Sequence, residues 1–183
     1  MTATTRLSEL TGDYVLDPAR TRIGFAVRAM TSKVRGQVGG FEGSAYLDGD
    51  DPSKSSVQLT IQAASIQTRN RRRDSHLRGH YLESGSYPAI TFASTKVEQA
   101  GQASFKVTGD LTVRGVTKPV TIDLALTGTG NSPGDSHQVA LAGKATINRT
   151  DWGVSWSAAM EGGGVLVSQQ VTLQFDVAAT RKS

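Results

Sequence analysis

Residues 105–128 read FKVTGDLTVRGVTKPVTIDLALTG, and this stretch decides the fold. Phe105, Val107, Leu111 and Val113 alternate with Lys106, Thr108, Asp110 and Thr112. After Gly115-Val116-Thr117, the residues Val120, Ile122, Leu124 and Leu126 alternate with Thr121, Asp123, Ala125 and Thr127. A period of two places the apolar residues on one face of a strand and the others on the opposite face. Two such runs joined by a short glycine-bearing turn are antiparallel neighbours. Pro119 is tolerated at the start of the second run because it need not donate a ladder hydrogen bond there.

The same pattern recurs on both sides of this hairpin. Ile23, Phe25 and Val27 carry it first, then Val57, Leu59 and Ile61, then Ile90 and Phe92. Val139, Leu141, Ala145 and Ile147 follow, and Val171, Leu173, Phe175 and Val177 close the series. Strands are therefore predicted around 23–30 and 57–64 and over 89–98, 103–114, 118–128, 138–148 and 165–178, with a short one at Tyr14–Asp17. So many period-two strands imply an antiparallel sandwich or barrel. The up-and-down order favours an all-β, eight-stranded antiparallel barrel, whose closure removes exposed sheet edges. A barrel of that size encloses either a packed core or one small ligand.

The alternation lapses in three places. Ser32–Gly43 holds Gly36, Gly39, Gly40 and Gly43 and reads as bends or bulges. Residues 65–87 carry no period of two. There Asp74 would cap a short helical insertion containing His76, Leu77, His80 and Tyr81, which Gly79 weakens and Gly85 ends. Residues 149–164 are irregular and contain Trp152 and Trp156.

The 183 residues suit one domain at 14–178, with a leader at 1–13 and a tail at 179–183. There is no cysteine, so disulfides, thiolate metal sites and cysteine nucleophiles are excluded. The start MTATTRLSEL shows no secretory pattern, and no run approaches the roughly 20 apolar residues of a membrane span. A soluble, cytoplasmic protein is expected. His76 and His80 have a metal-compatible spacing, but no HExxH accompanies them, and the other histidine, His137, stands in a polar stretch. No G-x-S-x-G nucleophile elbow occurs, and the expectation is no enzyme. Net charge is +4, and part of it lies in Arg69, Arg71, Arg72 and Arg73. Such a run is either a solvated loop or a site for nucleic acid or another anionic ligand. Aromatic residues are not interleaved with it as stacking platforms would be.

Several motifs stand in a familiar order: Tyr14-Val-Leu-Asp17-Pro18, Ile23-Gly-Phe25-Ala-Val27, Ser32-Lys33-Val34-Arg35-Gly36 and Phe41-Glu-Gly43. Ala64-Ser65-Ile66-Gln-Thr68, Arg73-Asp74-Ser-His76-Leu77 and Tyr87-Pro88-Ala-Ile90-Thr-Phe92 follow. Gly109-Asp-Leu111-Thr112, Gly115-Val116-Thr117-Lys118-Pro119-Val120 and Ile147-Asn-Arg149-Thr-Asp151-Trp152-Gly153 complete the set. Over residues 14–178 the chain resembles the YceI-like family of bacterial polyisoprenoid-binding proteins. The resemblance implies a lipocalin-like barrel, a long apolar tunnel for a polyisoprenoid, frequent pairing into dimers, and no established catalytic activity. The chain departs from the family pattern at Ala29, where a histidine is usual. It also departs at Asp17-Pro18-Ala19-Arg20-Thr21, and in Gly79-His80-Tyr81-Leu82-Glu83, which is about one residue short.

On this reading the ligand-binding residues are Phe25, Phe41, Ile61, Arg73, Asp74, His76, Leu77, Tyr81, Leu82, Phe92, Leu111, Trp152 and Trp156. The irregular segments supply the mouth, where aromatic rings with a polar handle fit a boundary that is apolar inside and wet outside. Both tryptophans also suit plain packing at a barrel end, and Arg73 with Asp74 also suits an ion pair anchoring the insertion. Gly109 and Gly143 fall in the apolar phase, where they either leave room inside the barrel or relieve curvature. The expected role is non-catalytic binding, storage or transport of a polyisoprenoid or similar lipid. The alternative is an anionic-ligand or nucleic-acid module using residues 69–73. No cofactor or metal is expected; the ligand is a polyisoprenoid or isoprenoid quinone-like lipid. The expected partners are that ligand and, as the resemblance implies, a second copy of the chain, with no nucleic acid.

Overall fold

Antiparallel pairing links every strand into one sheet that closes on itself. The computed structural model describes residues 10–29, 32–69, 71–76, 79, 84–131, 137–153 and 167–182, and for Ala29, Ser32, Arg72, Arg73, His76, Asn131, His137, Val167 and Ser168 the backbone alone. The strands are β1 (Gly12–Leu16), β2 (Arg22–Ala29), β3 (Ser32–Val38), β4 (Phe41–Leu47), β5 (Ser56–Gln62), β6 (Ile66–Gln67), β7 (Ala89–Gln99), β8 (Ser104–Val113), β9 (Val116–Asn131), β10 (His137–Asn148) and β11 (Val167–Arg181). One helix, α1 (Arg71–His76), stands between β6 and β7.

Eleven segments make eight wall strands, because three walls are broken midway. Strand β11 runs past both β1 and β2, pairing Leu16 with Ala179 and Ile23 with Phe175. Thus β1 and β2 are two halves of one wall, interrupted at Asp17–Thr21. Strand β4 pairs with β1 and β3 with β2, so Gly39–Gly40 interrupts a second wall. Strand β5 pairs with β4 and β6 with β3, and a 3-10 turn at Ala63–Ser65 interrupts the third. The β1–β11 pairing closes the ring. The expected eight-stranded antiparallel barrel is the fold observed.

The first break is stapled by a side chain standing in for backbone. The Thr21 hydroxyl donates to the Ala178 carbonyl at 3.1 Å and accepts from the Ala178 amide at 3.0 Å. Backbone groups that lose a ladder partner in a buried wall need such a substitute.

Strand direction sorts the connections to two ends. The upper end carries the β2–β3 and β8–β9 turns, the stretch between β6 and β7, and the stretch after β10. The lower end carries the β4–β5, β7–β8 and β9–β10 connections together with Leu10 and Lys182. Leu10, Tyr14, Val139 and Ala179 pack together there. Tyr14 is only 1% exposed, and its hydroxyl donates to the Leu10 carbonyl at 2.8 Å.

Burial raises the Tyr14 phenol above its ordinary value of 10.0, against the opposing pull of the Arg181 guanidinium. An acid whose pKa is higher in the fold is bound to its proton more tightly there. Its contribution is fully present below pH 10.0 and is lost as the pH rises through the folded-state value. Urea midpoints of the native protein are therefore expected to fall steeply above pH 10.0. Those of Tyr14→Phe should fall less over the same range, and equal slopes would contradict this.

The glycines of the inner phase neither leave holes nor act as curvature relief alone. A Cβ on Gly36 would lie 2.2 Å from the Phe25 ring, one on Gly109 2.6 Å from the Phe92 ring, and one on Gly143 2.5 Å from Leu124. Each glycine is the floor on which a large side chain of the neighbouring strand rests. This corrects the idea that Gly109 and Gly143 open space: the neighbours already fill it.

Other expectations are also revised. Ser32–Gly43 is nearly all strand, broken only at Gly39–Gly40. Strand β9 reaches Asn131 and β11 reaches Arg181, each three residues beyond the expected end. Helix α1 starts at Arg71, so Asp74 lies within it rather than capping a later helix. Its carboxylate reaches back instead to accept from the Thr68 amide at 2.8 Å and from the Thr68 hydroxyl. The Leu77, His80 and Tyr81 portion of the expected helix lies outside the described residues.

Candidate functional site

The inward phase of the wall strands surrounds three hollows that follow one another along the barrel axis. The upper one has a volume of about 170 Å³, the middle one about 90 Å³ and the lower one about 80 Å³. Adjacent hollows share a ring of side chains. Ile23, Leu59, Phe92, Ile122 and Phe175 belong to both the upper and the middle hollow. Leu47, Val57, Val107, Leu124 and Leu141 belong to both the middle and the lower. The interior is therefore a row of three apolar hollows, with two rings of side chains standing as waists between them.

The wall of the upper hollow is almost wholly hydrocarbon. Apart from the indole nitrogen of Trp152, its polar side chains are Thr91 and Arg149. Trp152 is 3% exposed, and its indole N–H donates to the Leu111 carbonyl at 2.8 Å. That bond satisfies the one polar atom of the ring and leaves its faces apolar. The turn holding both residues, Arg149–Trp152, follows directly from β10. Asn148 caps it by accepting from the Thr150 amide at 3.0 Å. Gly153 ends it in the left-handed region at φ 75°, which a residue with a Cβ rarely adopts. This local chemistry folds the chain over the upper end of the barrel.

Arg149 is buried, at 6% exposure, beside an apolar space. A guanidinium keeps its charge in such a setting and presents five fixed N–H donors. Van der Waals enclosure of an apolar chain is what this arrangement can do chemically. Among the described residues, no three His, Cys, Asp or Glu side chains converge on a common point that would hold a metal ion.

Of the residues singled out from sequence, Phe25, Ile61, Phe92, Leu111 and Trp152 line the upper hollow together. Phe41 does not. It pairs with Ile61 across β4 and β5 but forms no part of the hollow's wall. Asp74 is 7% exposed and committed to Thr68, beside a polar pocket of about 640 Å³ that Gln67, Arg69, Arg71 and Ser84 also line. Leu77, Tyr81, Leu82 and Trp156, and the side chains of Arg73 and His76, lie outside the described residues. Sequence selection passed over Ile122, Leu124 and Phe175, although their period-two phase already marks them as inward. The two waists had no signal of their own, since they depend on which strands face one another across the ring.

A model of the YceI-like domain matches residues 14–179. The chain belongs to the YceI-like family. Its relatives include a UPF0312 protein of Pseudomonas paraeruginosa, 36% identical over 177 residues, covering 94% of this chain and 89% of that one. A UPF0312 protein of Staphylococcus aureus is 32% identical over 165 residues, covering 88% and 94%. Among solved structures, this YceI-like protein is similar to Burkholderia cenocepacia BcnA, with a TM-score of 0.79, 22% identity and coverage of 89% and 98%. It is similar also to a polyisoprenoid binding domain from Saccharophagus degradans implicated in plant cell wall breakdown, with a TM-score of 0.69, 14% identity and coverage of 92% and 98%. At these identities the structures establish the shared fold. No helix among the described residues of this YceI-like protein is long and apolar enough to cross a membrane.

Proposed function

We propose that this protein binds a polyisoprenoid or a similar long-chain amphiphilic lipid without covalent chemistry, holding the chain along the barrel axis for storage or transport. The observation that carries the reading is the row of three apolar hollows, which share walls from the Arg149 end down to Leu10. The S. degradans neighbour, described as a polyisoprenoid binding domain, supports the same ligand class. Burial contributes about 0.8 kcal/mol per CH₂ group, hence up to roughly 4 kcal/mol gross per five-carbon isoprene unit. Ordering of the chain and loss of its translational freedom offset much of that. A few units are enough for tight binding.

In this reading Phe25, Ile61, Phe92, Leu111 and Trp152 grip the first units of the chain. The polar end lies beside the two irregular segments, 65–87 with Arg73, Asp74, His76, Leu77, Tyr81 and Leu82, and 149–164 with Arg149 and Trp156. Branched chains suit the passage, because methyl groups spaced along a chain fill beads where a straight chain leaves gaps.

Titration of delipidated protein with a polyprenol, followed by intrinsic tryptophan fluorescence, tests the proposal. Saturable one-to-one uptake with a change in tryptophan emission is expected, together with a prenyl or acyl lipid in organic extracts of freshly purified protein. No uptake and an empty extract would overturn it.

A further inference from the structure

The basic residues of this chain are not spread evenly. No acidic residue occurs between Asp17 and Glu42, a span that holds Arg20, Arg22, Arg28, Lys33 and Arg35. None occurs between Asp51 and Asp74, a span that ends in Arg69, Arg71, Arg72 and Arg73. The barrel brings these two spans side by side. Arg28 and Lys33 face each other across the β2–β3 hairpin, and Arg35 is opposite Ala26 on the same strands. Strand β6 pairs with β3 at Gln37 and Val38 and then runs on toward Arg69 and Arg71. Arg28, Lys33, Arg35, Arg69 and Arg71 are all exposed. The ion pairs among described residues, Arg20–Asp17 and Lys96–Glu98, involve none of these five.

Among the described residues, acid stands elsewhere at this end. Asp74 is buried against Thr68, exposed Asp110 sits on β8 across the ring, and exposed Asp151 follows β10. The lower end carries the opposite sign in its β4–β5 connection, where Asp48, Asp50 and Asp51 lie within four residues. Like charges opposite one another on neighbouring strands, as at Arg28 and Lys33, destabilise a sheet. The cluster therefore does not serve the fold, and it sits at the Arg149 end of the barrel, where the proposed lipid would enter.

We propose that the Arg28–Lys33–Arg35 face, continued by Arg69 and Arg71, docks the mouth of the barrel onto an anionic lipid bilayer. Basic clusters are drawn to the negative surface potential of such a bilayer, and the attraction decays within a Debye length. The basic surplus at the Arg149 end orients the molecule as it approaches, that end first. Tyr87, exposed at the same end and lying against the β8–β9 turn at Gly115, adds an amphipathic ring of the kind that settles at headgroup level. Docking of this kind would bring the mouth to the phase in which a long-chain lipid dissolves. A nucleic acid is the less fitting partner, because stacking rings do not accompany the cations along the β2–β3 face.

Co-sedimentation of the full chain tests this, with vesicles of phosphatidylcholine alone and vesicles containing phosphatidylglycerol. Binding to the anionic vesicles only, weakening as salt rises, is expected. Each removed cation should cost roughly fivefold in partitioning, so the triple variant Arg28→Gln, Lys33→Gln, Arg35→Gln should lose roughly a hundredfold. These positions are on the outer face, and an unchanged melting temperature confirms that the fold is kept. The matched variant Lys54→Gln, Lys96→Gln, Lys182→Gln removes the same charge at the lower end and should retain binding. Equal binding to neutral vesicles, equal loss in the two triple variants, or displacement from anionic vesicles by a single-stranded oligonucleotide at matched charge would each overturn the proposal. Polyprenol uptake from detergent, measured on the same variants, should be unchanged. A joint loss of uptake and docking would point to damage of the barrel and overturn the assignment to this face.

Discussion

Ile122→Trp is expected to divide lipids by length. Ile122 belongs to the waist shared by the upper and middle hollows and is 6% exposed. A chain that reaches beyond the upper hollow must displace the Ile23, Leu59, Phe92, Ile122 and Phe175 side chains. Leucine and isoleucine yield by changing rotamer, whereas an indole in the same place has nowhere to go. Every isoprene unit kept out of the lower passage forgoes up to roughly 4 kcal/mol of gross burial. Affinity for a long polyprenol should therefore fall at least about a hundredfold, while a chain short enough for the upper hollow should lose no more than about threefold. Overpacking itself costs about 1–3 kcal/mol of stability, so the comparison is made below the measured melting temperature. The milder Ile122→Phe should show the same division at smaller amplitude. Equal losses for long and short chains would contradict a waist at this position.

Trp152→Ala should produce the largest loss of stability among single substitutions at the mouth. The indole belongs to the main core cluster, lines the upper hollow and bonds the Leu111 carbonyl. Truncating a buried tryptophan to alanine costs about 3–5 kcal/mol. Removing the donor also takes from the Leu111 carbonyl the hydrogen bond it accepts beside its place in the β8–β9 ladder, a loss of about 0.5–1.5 kcal/mol. A chain already bound would lose a wall beside its polar end, so its release should quicken more than its capture slows. Trp152→Phe keeps most of the hydrocarbon and lacks the donor, and should fall between the two. Thermal unfolding and stopped-flow release of a fluorescent prenol separate these effects. An Ala variant as stable as the native protein would show that the ring is peripheral to the barrel.

The strands were legible because one face of each is buried and the other wet, so alternation survives in Phe105–Val113 and Val120–Leu126 without knowledge of partners. The Ser32–Gly43 wall was not. Its glycines look like punctuation in one dimension. In three dimensions Gly36 lies under the Phe25 ring, and a Cβ on Gly43 would meet Leu16 at 2.6 Å and Leu59 at 3.3 Å. That requirement comes from neighbouring strands and leaves no local trace. The far end of β9 was missed for another reason. Beyond Leu126 the polar residues of β9 stand out of contact with the core, and a strand without a buried face has no period to read. In the site, alternation located the inward phase but not the waists. Asp74 stood out as a capping residue, and its bond to Thr68 anchors the segment between β6 and β7 rather than opening the expected helix.

The account stands on a lipid chain lying inside the barrel along its axis. The direct measurement is the anomalous diffraction of crystals of the protein loaded with a polyprenol brominated at its terminal isoprene unit. The account predicts a bromine peak inside the wall, among Leu47, Val57 and Leu141, well below Arg149. A peak on the outer surface, or an interior filled only by the protein's own side chains, would contradict it.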